Sequence, residues 1–314
     1  MRRNNKVYLV TGCSGFIGFH WTKNLLKKKH KVIGIDLKPF PEQKYLNNKN
    51  FKFYNQSIFD DILMKDLIDS SDYICHFAGI AEPLKYLDFP ERVIDLTAYQ
   101  SIKLIKYCQN KNKLFFYTST SEIFGKNLKL PFDENSDRVL GSTSILRWCY
   151  SSSKAIVEHY LYANVKEKKI NFVGIRLFNI YGKYLKGRVV SNFMENAINN
   201  VDLVVNKPGN QTRSFMFIDD CITIMYKLLH TKKSVNEFFN IGNREEVSIL
   251  KLAKMVKDVT KSKSKIILKE MKNINYEDIP KRSTNMKKLM KIYNYKLKFN
   301  LKEGLLKYYN SIKS

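Results

Sequence analysis

The sequence lacks a long apolar segment, since its 314 residues contain no run near the ~18 consecutive apolar residues of a membrane span. Its charged start leads into only a short apolar stretch, so neither a secretory signal nor a membrane anchor is visible. Disorder is excluded as well, because 44% of the residues are hydrophobic and 13% are aromatic. We therefore expect a globular cytoplasmic protein with no membrane partner.

Metal-binding and disulfide patterns are also missing. The five cysteines are widely spaced, form no Cys-x-x-Cys pair and have no histidine set nearby that would suit zinc. The five histidines lack metal spacing too, and we interpret them as packing or surface residues: His20, His30, His76, His159 and His230. The pattern predicts reduced thiols and no metal.

Acidic residues are scarce, with 29 Asp and Glu against 55 Lys and Arg, which gives a net charge of +26. Such a balance is typical of proteins that bind nucleic acid or anionic membranes. Here the excess is mostly lysine scattered among asparagines, and no basic run alternates with aromatic residues as a stacking platform requires. We therefore predict no nucleic-acid partner, and keep a non-catalytic or nucleic-acid-binding protein as an alternative.

Short apolar runs alternate with amphipathic stretches in the first half of the chain. This alternation predicts an α/β fold of the Rossmann type, with a doubly wound parallel sheet. The predicted strands are Lys6–Val10, Lys31–Ile35, Phe51–Tyr54, Tyr73–His76, Leu114–Thr118 and Asn171–Leu177. The predicted helices between them are Gly15–Lys28, Ile62–Ile68, Pro90–Gln109 and Tyr150–Lys166.

The alternation of apolar runs and amphipathic stretches becomes less regular after about Tyr181. Helices are predicted near Val189–Asn199, Asp219–His230 and Ser248–Thr260, with a Pro208-Gly209-Asn210 turn among them. We therefore divide the chain into a larger N-terminal domain, residues 1–180, and a smaller C-terminal α/β domain, residues 181–314.

A glycine-rich turn follows the first predicted strand. Gly12, Gly15 and Gly18 permit a tight turn, a close approach of the backbone to a pyrophosphate, and close packing of the next helix. Asp36 ends the second strand 18 residues after Gly18, where a carboxylate accepts hydrogen bonds from ribose hydroxyls and repels a 2′-phosphate. The pattern predicts a dinucleotide site that prefers NAD to NADP.

Tyr150 and Lys154 are four residues apart, which places a phenol and an amine on one face of a helix. The spacing alone is weak evidence, because Tyr45/Lys49 and Tyr162/Lys166 share it. A polar cluster, Thr118 to Glu122, follows an apolar strand at the edge where open α/β sheets bind ligands.

These motifs occur in one order together with His76-Phe77-Ala78-Gly79 and Arg176-Leu177-Phe178-Asn179-Ile180-Tyr181-Gly182. In combination they resemble the extended short-chain dehydrogenase/reductase family, in its nucleotide-sugar epimerase/dehydratase branch. The resemblance covers nearly the whole chain. It implies an NAD-dependent enzyme whose substrate is a nucleotide-diphosphate sugar. Residues 1–180 are then expected to form the NAD-binding domain and residues 181–314 the substrate domain.

The resemblance assigns catalytic roles to Tyr150, Lys154, Thr120 and Glu122. Tyr150 is expected to take the proton of the sugar C4 hydroxyl, Lys154 to lower the basicity of the phenolate, and Thr120 to hydrogen-bond the same oxygen. The remaining cofactor contacts that it implies are Ser14, Phe16, Ile17, Ser57, Ile58, Phe77, Ala78, Gly79 and Thr118.

The resemblance also implies a set of substrate contacts and a homodimer, and the chain departs from the family pattern at two positions. Asn179, Arg188, Val189 and Arg213 are expected to hold the nucleotide diphosphate. Ser57 stands where the family commonly has Asp beside the adenine, and Thr97 stands where it has Asn. A homodimer paired through helices Pro90–Gln109 and Tyr150–Lys166 is expected.

Glu122 separates the possible reactions. Dehydratases of the family carry Asp-Glu after the catalytic Thr, but Ser121 replaces that Asp here, which argues against 4,6-dehydration. The Thr-Ser-Glu order is shared with UDP-glucuronate decarboxylases and with epimerase-like members. We take epimerisation through transient oxidation at C4 as the first interpretation and decarboxylation as its alternative. A loop carboxylate bonded to backbone amides is an equally open interpretation of Glu122.

Overall fold

A computed structural model describes residues 6–270, 279 and 281–313. The strands are β1 (Val7–Thr11), β2 (Lys31–Ile35), β3 (Phe51–Tyr54), β4 (Tyr73–His76), β5 (Leu114–Thr120), β6 (Asn171–Leu177), β7 (Asn179–Tyr181), β8 (Leu203–Asn206), β9 (Thr212–Phe217), β10 (Glu237–Ile241), β11 (Glu246–Ser248), β12 (Ile266–Lys269) and β13 (Lys281–Arg282). The helices are α1 (Phe16–Lys27), α2 (Asp61–Asp69), α3 (Pro83–Asp88), α4 (Pro90–Ile94), α5 (Gln100–Cys108), α6 (Trp148–Lys166), α7 (Val189–Ile198), α8 (Ile218–Leu229), α9 (Ile249–Thr260), α10 (Lys287–Ile292) and α11 (Leu301–Lys313).

The main sheet has seven strands in the order β10-β6-β5-β4-β1-β2-β3. The pairings of β1 with β2 and β4, of β2 with β3, and of β4 with β5 are parallel. The order of the strands reverses at β1, as in dinucleotide-binding folds, because β2 and β3 follow on one side of β1 and β4 and β5 on the other. At that point Thr11 lies beside both Ile35 and His76. The predicted doubly wound α/β fold is confirmed.

The strands of this sheet form because they read as nearly continuous apolar runs, which suits strands covered on both faces. Tyr8, Leu9 and Val10 in β1 are fully buried, as are Phe115 and Phe116 in β5. The core beside them joins strand residues to side chains of the helices, among them Leu104 of α5 and Val157 and Leu161 of α6.

Contacts divide the chain into two compact units, each built from several segments. Unit 1 comprises Met1–Thr120, Cys149–Ile175 and Met225–Phe238, and unit 2 comprises Ser121–Trp148, Arg176–Ile224 and Phe239–Ser314. The sequence placed a single boundary after residue 180, whereas the chain in fact passes between the units several times. The functional division into a cofactor domain and a substrate domain stays a prediction.

Unit 2 contains a four-stranded sheet in which β9 pairs with β7, β11 and β13, and a separate pair of parallel strands, β8 and β12. Its predicted helices are present as α7, the first part of α8, and α9. In the described part of the chain, no helix is long and apolar enough to span a membrane.

The helix predicted over Pro90–Gln109 is interrupted. It consists of α4, a π-helical turn over Asp95–Tyr99, and α5. Ser101 stands one turn after the buried Thr97 and donates its hydroxyl proton to the Thr97 carbonyl at 2.7 Å. Such turns recur at functional sites because they displace one helical residue from the regular hydrogen-bond ladder.

Candidate active site

The glycine loop closes tightly between β1 and α1. Gly12 has φ +69°, and a Cβ on it would lie 2.6 Å from the amide nitrogen of Ala78, so only glycine fits there. Gly15 is the N-cap of α1 and supplies no side-chain cap, which leaves the first amides of the helix open to an anion. Phe16 and Ile17 lie in the first turn of α1. Only glycine fits at position 18, because a Cβ there would strike the Gly12 carbonyl.

Asp36 is fixed at the end of β2. Its carboxylate accepts hydrogen bonds from the backbone N–H groups of Ser14 at 3.0 Å and Lys38 at 2.9 Å. The Ser14 hydroxyl donates to the Lys38 carbonyl, and the Asn55 amide donates to the Asp36 carbonyl, both at 3.0 Å. The carboxylate therefore stands beside the glycine loop in one orientation, which suits recognition of a ribose diol.

The other predicted cofactor contacts divide into two groups. Phe77, Ala78 and Gly79 follow β4, and a Cβ on Gly79 would lie 3.9 Å from the Lys154 ammonium nitrogen. Ser57 instead uses its hydroxyl locally, accepting the Phe59 N–H at 3.1 Å, while Ile58 is buried and its carbonyl accepts from the Gln100 amide.

Tyr150 and Lys154 lie on α6 with side chains that are each 5% exposed. The Lys154 ammonium donates to the Thr118 carbonyl at 2.7 Å and stands 4.7 Å from the centre of the Tyr117 ring and 6.0 Å from that of Tyr150. Burial lowers the pKa of Lys154 to about 7, against the opposing charge of Glu158. The structure thus joins Tyr150, Lys154 and the end of β5, where Thr120 is also buried.

A second tyrosine covers Tyr150. Tyr86, from α3, is fully buried and stacks on Tyr150 with ring centroids 4.6 Å apart and planes 10° apart. Val93 completes this small cluster. Nothing in the sequence pointed to Tyr86, because α3 is short and its contact with α6 joins residues 64 positions apart.

His76 anchors a buried chain of hydrogen bonds beneath the glycine loop. The Ser101 hydroxyl donates to the Thr97 carbonyl, so its oxygen accepts from Nε2–H of His76 at 2.8 Å. The other ring nitrogen, Nδ1, then accepts from the Thr11 hydroxyl at 2.7 Å, and that hydroxyl accepts the Ala78 N–H at 3.3 Å. Burial, and then the charge of Lys154, lower the pKa of His76 to about 3, which keeps the ring neutral.

Within unit 2, Glu122 lies among three arginines. Its carboxylate is 3.5 Å from Arg282, 3.7 Å from Arg147 and 3.8 Å from Arg188, and its side chain is 2% exposed. Burial alone would raise the pKa of Glu122, but the guanidinium groups, Arg282 foremost, bring it below the usual value. Glu122 is therefore ionised at neutral pH, so it accepts hydrogen bonds and has no proton to donate. The four side chains together carry a net positive charge.

The remaining predicted substrate contacts also lie in unit 2. Arg188 precedes Val189 at the start of α7, and the Asn179 amide donates to the Ser214 carbonyl at 3.0 Å. Arg213 is buried on β9 directly beside Arg282 of β13, and donates to the Thr212 carbonyl at 2.8 Å. Arg147 and Arg282 were missed from the sequence; the only available signal was an arginine next to Trp148.

The described residues contain no group of three or more His, Cys, Asp or Glu side chains able to hold a metal ion.

The model of the NAD dependent epimerase/dehydratase family matches residues 8–242, most of the chain. The protein belongs to this family. Members are NAD-dependent, and the glycine loop, the open start of α1 and the fixed Asp36 of this family member are the features that NAD requires.

Two curated relatives and one solved structure illustrate the similarity. The chain is 30% identical to the bifunctional polymyxin resistance protein ArnA of Wigglesworthia glossinidia brevipalpis over 98% of its own length and 51% of that protein, so it spans about half of that relative. It is 29% identical to a UDP-N-acetyl-alpha-D-glucosaminuronate decarboxylase of Bacillus cytotoxicus, with 95% and 94% of the two chains covered. The fold matches UDP-glucuronic acid 4-epimerase of Bacillus cereus, solved with UDP-glucuronic acid and NAD, at a TM-score of 0.85 and 25% identity, covering 98% and 99%.

Proposed function

We propose that this family member oxidises C4 of a nucleotide-diphosphate sugar transiently and then reduces it again, with inversion at C4 as the first candidate outcome. The observation that supports this is the buried pair of Tyr150 and Lys154 on one face of α6, with Lys154 bonded to the end of β5. A packing role alone would not require an amine within the core, because burying a charge is costly unless it is used or paired.

Each member of the pair has a task. Tyr150 receives the proton of the C4 hydroxyl, and Thr120 hydrogen-bonds the same oxygen. An ordinary phenol has a pKa of about 10, so a base working near neutrality needs on the order of 4 kcal/mol of phenolate stabilisation. The Lys154 ammonium supplies part of it, because a positive charge favours the phenolate.

NAD and the nucleotide would be held by different parts of the chain. Gly12, Gly15 and the first amides of α1 bind the pyrophosphate of NAD, and Asp36 its ribose. When bound there, NAD would supply the acceptor and donor of hydride for C4 of the sugar. Asn179, Arg188, Val189 and Arg213 would hold the nucleotide diphosphate, to which the forked guanidinium groups of the two arginines are suited.

Decarboxylation of a sugar uronate is a second candidate, favoured by the arginines around Glu122. Their net positive charge suits a substrate with a carboxylate, and a relative that covers 95% of the chain is named as a decarboxylase of such a sugar. Oxidation at C4 turns a uronate into a β-keto acid, which loses carbon dioxide readily. Because Glu122 is ionised, its part here is to position the arginines, and the proton that C5 gains after the loss of carbon dioxide is supplied by water.

Product analysis separates these candidates. The purified protein with NAD is incubated with UDP-glucose, UDP-glucuronate and UDP-N-acetylglucosaminuronate, and the sugar products and released carbon dioxide are measured. A C4 epimer without carbon dioxide supports inversion, and a pentose product with carbon dioxide supports decarboxylation. NAD binding without turnover of any nucleotide sugar would overturn the proposal and support a non-catalytic protein.

A further inference from the structure

A buried carboxylate, Glu158, continues the face of α6 that carries Tyr150 and Lys154. The three residues are four positions apart, so each stands about one helical turn from the next. All three side chains are 5% exposed. Carboxylates are seldom buried without a compensating charge, and the proposed chemistry gives Glu158 no task.

The groups that face Lys154 from the sheet are neutral. Thr118 offers a backbone carbonyl, and Tyr117 offers its ring face. Burial raises the pKa of Tyr117 well above its usual value, and His76 on β4 stays neutral in the chain of hydrogen bonds described above. The sheet therefore gives the Lys154 amine a dipole and a π face but no negative charge.

We infer that Glu158 is a positioning residue whose negative charge, one turn along α6, keeps the buried Lys154 amine in its ammonium form. The inference rests on the proposed function in one respect, since Tyr150 needs that ammonium to act as a base. Glu158 itself does not touch the reacting atoms.

The direction of the electrostatics agrees with this geometry. Burial lowers the pKa of Lys154 to about 7, so the ammonium and amine forms are about equally populated at neutral pH, and Glu158 is the group that opposes the decrease. Two unit charges about 6 Å apart in a medium with an effective dielectric constant near 20 displace a titration by about two pH units. Loss of Glu158 should therefore leave most of the Lys154 population uncharged at neutral pH.

The direct test follows the titration of Lys154 itself. Protein labelled with ¹³C at lysine Cε is titrated by NMR, and the Lys154 signal is assigned by its loss in Lys154→Met. In Glu158→Gln the midpoint should fall by about one pH unit or more. The matched control is Glu167→Gln, which removes an exposed carboxylate just beyond α6 that pairs with Lys169 at 2.5 Å, and should leave the midpoint unchanged.

Turnover gives the second readout. At neutral pH, turnover of the nucleotide sugar should fall about fivefold or more in Glu158→Gln, because a midpoint lower by one pH unit reduces the ammonium fraction of Lys154 by about that factor. Turnover should recover partly in Glu158→Asp. An unchanged Lys154 midpoint in a folded Glu158→Gln protein would overturn the inference. Should Glu158→Gln fail to fold, Glu158→Asp takes its place, with a smaller downward shift expected and no shift as the contrary result. The NMR titration needs no turnover, so a failure of this inference can be distinguished from a failure of the proposed function.

Discussion

Tyr86 lies flat against Tyr150, with ring centroids 4.6 Å apart and planes inclined by 10°. Both rings are buried, and they meet from different helices of unit 1. A ring held in this way cannot rotate freely about its side-chain bonds, so the Tyr150 hydroxyl keeps one direction. Orientation of a reacting group is one of the larger contributions to enzymatic rate.

Tyr86→Leu should therefore lower turnover without weakening NAD binding. A stacked aromatic pair contributes about 1 kcal/mol beyond its buried area, which corresponds to about a fivefold change in rate. Tyr86→Phe keeps the stack and serves as the matched control. Turnover and NAD titrations of both variants check this, and a Leu variant as active as the Phe variant would show that the stack has no such role.

Asp36→Ala should weaken NAD binding roughly tenfold and reduce the preference for NAD over NADP. The carboxylate is already held by the N–H groups of Ser14 and Lys38, so its loss removes a prepared acceptor for the ribose hydroxyls. Dissociation constants for both dinucleotides give the measurement. Asp69→Asn, which removes an exposed carboxylate paired with Lys111, is the control. Equal loss of affinity for NAD and NADP would contradict the assigned role.

Acid should destabilise the fold through His76. Its pKa is about 3 in the folded protein, below the ~6.5 of an unfolded histidine, so the unfolded state binds more protons between these values. Stability is therefore complete above pH ~6.5 and declines as the pH falls, by roughly 2 kcal/mol at pH 5. Burial also lowers the pKa of His30 and His230, which adds to the same trend.

Urea unfolding at neutral pH and at pH ~5 measures this loss. His76→Gln should be less stable than the parent at neutral pH, because it gives up the bonds to Thr11 and Ser101, yet lose less on acidification. His159→Gln, which replaces an exposed imidazole on α6, is the matched control. Parallel pH dependence in all three proteins would refute the contribution of His76.

The expected homodimer would bury apolar residues that are exposed on two segments of the single chain. Ile94, at the end of α4, is 44% exposed, and Tyr99, in the π-helical turn, is 58% exposed. Ile156 and Tyr162 of α6 are 49% and 43% exposed. Ile156→Glu should convert a dimer to a monomer in analytical ultracentrifugation, because a charge there would be desolvated by pairing. Val204→Glu, at a 42% exposed position of β8, should not. A monomeric parent protein would rule the dimer out.

Local patterns were sufficient to predict the Rossmann unit. Alternating apolar runs indicated the strands and helices, and the glycine loop, Asp36 and the Tyr150/Lys154 spacing depend on residues close in sequence. Boundaries were less certain: β5 continues to Thr120, and α6 begins at Trp148 rather than Tyr150. The π-helical turn in Pro90–Gln109 has no compositional signal, because neither Pro nor Gly occurs within it.

Contacts between distant residues could not be predicted in the same way. The chain of hydrogen bonds from Ala78 through Thr11, His76 and Ser101 to Thr97 joins the end of β1 and the loop after β4 to a helix. The partners of Glu122 come from positions 147, 188 and 282. Such groups of side chains come together only when the chain folds. The hydrophobic periodicity of a sequence identifies the buried face of a helix or strand, but not the elements that pack against that face. The interleaved units escape sequence reasoning for the same reason.

Tyr150 acting as the base is the central requirement of the proposed chemistry. The decisive measurement compares turnover of the nucleotide-sugar substrate by the parent protein, by Tyr150→Phe and by Tyr162→Phe, a 43% exposed tyrosine on the same helix. Tyr150→Phe should lose roughly a thousandfold in turnover while binding NAD normally, since a positioned acid or base contributes about that much, and Tyr162→Phe should retain the parent rate. A Tyr150→Phe protein that turns over substrate at the parent rate would contradict the assignment of the active site.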